Sequence, residues 1–185
     1  MKARFLILIL SLMVLYTYRA EAQVDVTINP VGLLFGDLSV GGDFILSDEF
    51  SIEGTLGFGS GSDDFTNLKW RNIPITAVGK YYFNPDDGAD KFYASAFLRF
   101  INRGYTADDD TQTTYAEYSQ TRFGLGVGIG YKAVSRSGIV FDIGLGVGRA
   151  LLDNTKFESD GEEFIVEWPE IMFTGKLGVG YRFGG

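Results

Sequence analysis

The sequence predicts an all-β protein, an antiparallel up-and-down transmembrane β-barrel of about eight strands, and three observations predict it. The first is strict alternation. From Arg122 to Lys132, Phe123, Leu125, Val127, Ile129 and Tyr131 fall on one side, and Arg122, Gly124, Gly126, Gly128, Gly130 and Lys132 on the other. Side chains of a strand point to opposite faces with a period of two, so this is a strand with one apolar face and one face of glycines ending in charges. The pattern recurs in Ile139 to Gly148 and in Lys176 to Phe183. The second observation is that short turns alternate with longer loops, as they do in membrane barrels. The third is the sense of the faces. A soluble lipocalin-like barrel hides its apolar face and hydrates its polar one. Here the polar face of the last three strands is mostly glycine, which hydrates poorly but relieves crowding on the concave side of a tight barrel.

Taken in order, Val24 to Ile28 alternates, Asn29-Pro30 interrupts and Val31 to Phe35 is apolar, which together read as a first strand with a break. Leu38 to Leu46 is the second strand, Ser47-Asp48-Glu49 a tight turn, and Phe50 to Gly59 the third strand. A polar loop, Ser60 to Leu68, leads to Trp70 to Phe83, where Pro74 donates nothing to a ladder and predicts a bulge or local break. Asn84 to Asp90 is a turn, Phe92 to Arg103 a strand and Gly104 to Thr114 a loop. The strand containing Arg122 to Lys132 ends at the turn Ser135 to Gly138, and the strand from Ile139 at the longest loop, Leu152 to Glu167. The last strand starts near Met172. The first connection is the exception to the alternation, being too short for an outer loop.

The bulk composition narrows the function. Lys2 and Arg4 precede an apolar run of 12 residues from Phe5 to Tyr16, and Ala20-Glu21-Ala22 has the small residues of a cleavage site. Residues 1–22 therefore read as a secretory signal peptide and 23–185 as the barrel domain, with Gln23 the mature N-terminus. The run falls short of the roughly 20 residues that a spanning helix needs. Net charge is −8, and since Lys2, Arg4, Arg19 and Glu21 contribute +2, the rest carries −10, a poor match to nucleic acid. With no cysteine there is no disulfide scaffold, and with no histidine the usual acid-base group near neutral pH is missing.

Aromatic residues sort into two belts. Phe44, Phe50, Tyr81, Phe83, Phe92, Tyr131, Tyr181 and Phe183 lie beside the short turns; Phe58, Trp70, Phe100, Tyr118 and Phe173 lie toward the loops. Trp70 to Tyr81 is 11 steps, about 36 Å of strand that a tilt near 45° projects to roughly 25 Å, the height of an outer-membrane apolar band.

With these residues in view, the chain from Val24 to Phe183 resembles the small eight-stranded outer-membrane β-barrel proteins, the class of the OmpA membrane domain and OmpX. The most specific element is the C-terminal assembly signal of that class, a polar residue, a glycine and two aromatics spaced by one, at Lys176, Gly178, Tyr181 and Phe183. Members usually end on the aromatic, whereas Gly184 and Gly185 follow here. Ile28 to Phe44 also resembles openings of small barrels of the Bacteroidetes. The resemblance implies a porin-like fold in the outer membrane of a Gram-negative cell envelope, a monomer in contact with outer-membrane lipid and lipopolysaccharide. It also implies passage through periplasmic chaperones and the barrel-assembly machinery. Enzymes of similar fold use histidine, so the resemblance implies no enzyme here.

Lumen parity collects Asp43, Glu53, Lys80, Arg99, Lys132, Asp142, Lys176 and Arg182, with Arg122 near the loop end. A narrow barrel fills its interior with side chains and buried charges pair, so this set predicts an ion-pair plug. The alternative is a lumen or lateral pocket that binds or takes up a small hydrophobic molecule. No cofactor is implied. The acidic loops, with Asp63, Asp64, Asp108 to Asp110, Glu158, Asp160, Glu162 and Glu163, offer oxygen ligands for Ca²⁺ or Mg²⁺, but Asp108-Asp109-Asp110 lacks the alternation of a calcium loop and the loops read as solvated tips, so no metal site is predicted. Lys69, Arg71, Arg103 and Arg149 are expected at the outer rim, where they could meet lipopolysaccharide phosphates, although rim cations are common without such a role.

Overall fold

A computed structural model describes residues 23–63, 68–86, 88–108, 114–159, 162–165 and 170–184. Residues 1–22, with the expected cleavage site at Ala20 and Ala22, lie outside the described residues, as do the loop acids Asp64, Asp109, Asp110 and Asp160. The barrel strands are β1 (Val24–Ile28), β2 (Asp37–Ser47), β3 (Phe50–Asp63), β4 (Leu68–Tyr82), β5 (Lys91–Asp108), β6 (Thr114–Val134), β7 (Ile139–Ser159) and β9 (Ile171–Phe183), with β8 (Glu162–Ile165) a short strand folded back on the end of β7. Each barrel strand pairs antiparallel with its neighbours, and β9 returns to β1 with Val24 opposite Phe183 and Ile28 opposite Val179. The eight strands thus close into a ring, and no unpaired sheet edge runs its full height.

The two faces are those of a barrel in lipid. Outward residues such as Leu125, Val127, Ile129 and Leu145 are exposed, while inward Asp43, Glu53, Lys80, Lys132 and Asp142 are buried. The inner glycines are covered. A Cβ on Gly126 would lie 2.5 Å from the Phe97 ring and 2.4 Å from the Val147 carbonyl, and one on Gly130 would lie 2.3 Å from Tyr93. Glycine therefore lets β6 and β7 curve tightly beneath two aromatic rings from β5.

Several expectations are corrected. The apolar run Val31 to Phe35 is not strand: Pro30–Leu34 forms one helical turn, α1, because the Asn29 side chain accepts from the backbone N–H of Val31 and of Gly32 at 3.1 Å and Pro30 occupies the first helical position. At Pro74 the expected local break is present, without a bulge. β3 and β4 unpair opposite it and resume in the same register, Leu56 with Ile75 and Gly59 with Asn72, while on the β5 side Pro74 stays paired with Ile101. The expected long loops are largely strand, since β3 runs to Asp63, β5 to Asp108 and β7 to Ser159. On β7 a bulge between the pairs Phe123–Leu152 and Gly124–Ala150 shifts the parity, so Leu151 and Leu152 both face out.

In the belt beside the short turns Phe50, Tyr81, Phe83 and Phe92 form a contact chain, with ring centroids 5.0, 5.1 and 6.0 Å apart in turn, and Tyr181 pairs with Phe183 at 5.0 Å. At the other end Phe58 and Phe173 face out, but Trp70 and Tyr118 do not. Trp70 shares the face of Lys80 and Tyr82 and covers the bare backbone of Gly59 and Gly61, and Tyr118 stacks on Tyr105 at 5.7 Å, sharing the face of buried Gln120. The band is better measured from Phe173 to Phe183, 10 steps along β9, about 33 Å of strand or roughly 23 Å after tilt.

Candidate functional site

The lumen beside the short turns holds a continuous ion network. The register places Asp25, Asp43 and Glu53 side by side on β1, β2 and β3. Three carboxylates in one row repel one another, so the row stands only if cations reach it. They arrive from around the ring. Arg182 on β9 grips Asp25 with Nε at 2.7 Å and Nη2 at 3.0 Å. Lys132 on β6 reaches Asp25 at 2.8 Å and Asp43 at 2.5 Å. Lys80 on β4 sits 2.8 Å from Asp43, 2.6 Å from Glu53 and 2.8 Å from Asp142. Lys176 on β9 bridges Glu53 and Asp142, both at 2.5 Å. Four carboxylates, Asp25, Asp43, Glu53 and Asp142, thus face four cations, Lys80, Lys132, Lys176 and Arg182, and the cluster is neutral.

Hydrogen bonds and rings complete it. Tyr93 donates to Asp142 at 2.8 Å, and the Lys80 and Lys132 ammonium groups stand 5.0 and 5.2 Å over the rings of Tyr93 and Tyr82. Asp43, Glu53 and Asp142 have oxygens close enough together to hold a cation, and the Lys80 ammonium takes that place. Below the network the turn between β4 and β5 folds under the barrel. Ala89 is fully buried, its N–H donates to the Asp48 carbonyl at 2.9 Å, and Arg182 donates to the Gly88 carbonyl at 2.9 Å. Left-handed backbone at Asn84 and Gly88 makes that fold-back possible.

Two of the predicted members stand apart. Arg122 pairs with Asp153 at 2.8 Å toward the loop end, because the β7 bulge turns Asp153 inward. Arg99 lines the upper lumen, donating to the Phe173 carbonyl at 3.5 Å, and has no ion pair among the described residues. Of the rim cations, Arg149 pairs with Glu170 and Arg71 donates to Asn102 at 3.4 Å, whereas Arg103 lies on the inward face of β5 with Phe97 and Ile101. Asp25 is the network member that sequence reasoning passed over, although the alternation of Val24 to Ile28 already put it inward.

Above the network the lumen opens into a cavity of about 230 Å³. Its floor is Glu53, Lys80 and Lys176, and its wall includes Thr55, Asn72, Pro74, Thr76, Val78, Ser95, Phe97 and Arg99.

The family described as a protein of unknown function (DUF3575) matches residues 5–179, and the chain belongs to it. No curated protein matches the chain. Among solved structures, a major outer membrane protein from Thermus thermophilus is similar with a TM-score of 0.59 at 15% identity, over 88% of this chain and 99% of that one. CarO of Acinetobacter baumannii is similar with a TM-score of 0.52 at 10% identity, over 87% of this chain and 97% of that one. These likenesses agree with the fold, an eight-stranded up-and-down barrel.

Proposed function

We propose that this member of the family is a non-enzymatic outer-membrane barrel, closed to ions at its short-turn end, that serves envelope structure or surface contact through the outer extensions of its strands. The neutral network of four carboxylates and four cations carries the reading. An opposite pair 4 Å apart gains about 4 kcal/mol at an effective dielectric near 20 before desolvation is counted, enough to hold such a plug shut. Each of the four network carboxylates is engaged by a cation, so none of them is poised as a general base, and the chain has no histidine.

The short turns face the periplasm in this reading. The outer end carries the contact surface, since β6 continues nine residues beyond Phe123 to Thr114, paired with β7 up to Ser159. The chain is exported by its signal peptide, and Lys176, Gly178, Tyr181 and Phe183 present the sequence that the barrel-assembly machinery takes up.

Planar-bilayer recording tests the closure. The wild-type barrel is expected to show no steady conductance, while Glu53→Ala, which strips Lys176 and Lys80 of a partner, admits ions or unfolds more easily. Stable, ion-selective openings of the wild type would overturn the reading. The cavity above the network supports a second reading, the binding of a small molecule in the outer half of the lumen.

A further inference from the structure

The barrel wall has one seam that the ladder does not close. β1 ends at Ile28, so β9 pairs with it only from Val179 to Phe183, and from Ile171 to Gly178 the described residues give β9 a ladder partner on β7 alone. Across the seam β2 continues to Asp37, held by β3. α1 stands in this gap, touching both β2 and β9, yet none of its residues is buried. Val31, Leu33, Leu34 and Phe35 are 44, 47, 81 and 72% exposed. The seam spans the level of Phe173, so it opens in the outer half of the apolar band. The cavity reaches it directly: Asn29, Gly32 and Ser39 line it on one edge and Thr174 and Gly178 on the other.

Inside, the cavity meets charge that the protein leaves unanswered. Arg99 Nε is buried without a hydrogen-bond partner, and so are Arg103 Nε and Asn72 Oδ1. The positive charge of Arg103 acts on Arg99, and Asn72 lies opposite Arg103 in the ladder. Asp37, the cavity's other acid besides Glu53, lines it from β2, three strands away from Arg99. Arg99, a cation without an acidic partner among the described residues and with its Nε buried, lines a polar cavity with an apolar side door, and Arg103 stands beyond it on the same face of β5; this matches a ligand that is anionic at one end and apolar at the other.

We propose that the outer half of the lumen binds a single-chain anionic amphiphile taken from the outer leaflet, its head group at Arg99 and its tail in the seam between β2 and β9 beside α1. This deepens the second reading above and rests on it, and it is independent of whether the lower network conducts ions.

The test is solution NMR of the barrel in phosphatidylcholine nanodiscs with dodecanoate carrying a nitroxide at mid-chain. Dodecyl phosphate labelled in the same way separates a carboxylate from a phosphate head, and dodecyltrimethylammonium is the cationic control. Saturable broadening is expected at the α1 methyl groups of Val31, Leu33 and Leu34 and at the Thr174 to Gly178 amides, at least 10-fold weaker in apparent affinity for Arg99→Gln and absent for Ser95→Trp, which fills the cavity. Heat-modifiable migration on a gel shows that both variants are folded. Broadening spread evenly over Leu56, Ile129 and Leu145 means that the probe only partitions into lipid, and it overturns the proposal. Butyrate shifting the Ser95 and Thr76 amides as strongly as dodecanoate does, with α1 silent, overturns the seam and tail while leaving small-molecule binding intact. No response to any probe overturns both.

Discussion

Lys132 on β6 donates to Asp25 on β1 at 2.8 Å, across a sequence separation of 107 residues, with both side chains almost completely buried. Asp25 is also held by Arg182, so one carboxylate near the start of the barrel anchors cations from two other strands.

Removing that carboxylate has a definite cost. Asp25→Asn takes the carboxylate from Arg182 and one of the two carboxylates from Lys132 in a buried site, and breaking such a pair costs about 3–5 kcal/mol. The double change Asp25→Asn with Arg182→Gln recovers part of the loss, because it removes the stranded charge. Urea unfolding of the barrel in detergent micelles measures both, and equal midpoints for the single and double variants would count against a coupled network.

The Arg122–Asp153 pair behaves differently. Its side chains are 11% and 21% exposed and it stands apart from the network. Arg122→Gln is expected to cost about 1 kcal/mol or less, the range of solvent-screened pairs. A loss as large as that of Asp25→Asn, in the same unfolding assay, would mean that the rim pair belongs to the closure.

Glycines on the two faces separate cleanly. A Cβ at Gly126 would meet the Val147 carbonyl at 2.4 Å and the Phe97 ring at 2.5 Å, whereas one at Gly54, on the outer face, meets nothing within 4 Å. Gly126→Ala is expected to destabilise by about 1–3 kcal/mol through overpacking. Gly54→Ala changes stability little or raises it slightly, since alanine narrows the unfolded ensemble. The order of the two unfolding midpoints checks the assignment of faces.

Tyr181 and Phe183 lie with ring centroids 5.0 Å apart on the outer face of β9, the strand that closes the ring against β1. Replacing both by Ala is predicted to lower the amount of barrel in the outer membrane while secretion across the inner membrane continues. Fractionation of cells that express the variant reads this directly, and an unchanged outer-membrane level would remove the role assigned to the C-terminal signal.

The sequence by itself determined the strand class, the sense of the faces and the inward set of charges, because strand parity is a local property: once Val127 faces lipid, Gly126 and Gly128 face the lumen wherever the strand lies. The same logic already marked Asp25, which alternates with Val24 and Val26. Partners were beyond its reach. Parity says that Arg99, Arg122 and Arg182 point inward, but height along the lumen and the β7 bulge decide that Arg182 meets Asp25, that Arg122 meets Asp153 and that Arg99 meets no acid among the described residues. The turn of α1 was likewise hidden, since Val31 to Phe35 is as apolar as a strand, and the Asn29 cap prevails only because β1 stops there. Which side chains touch depends on ring closure, on register between strands up to 157 residues apart, as for Arg182 and Asp25, and on where a ladder ends, and these are relations between segments that no single segment carries.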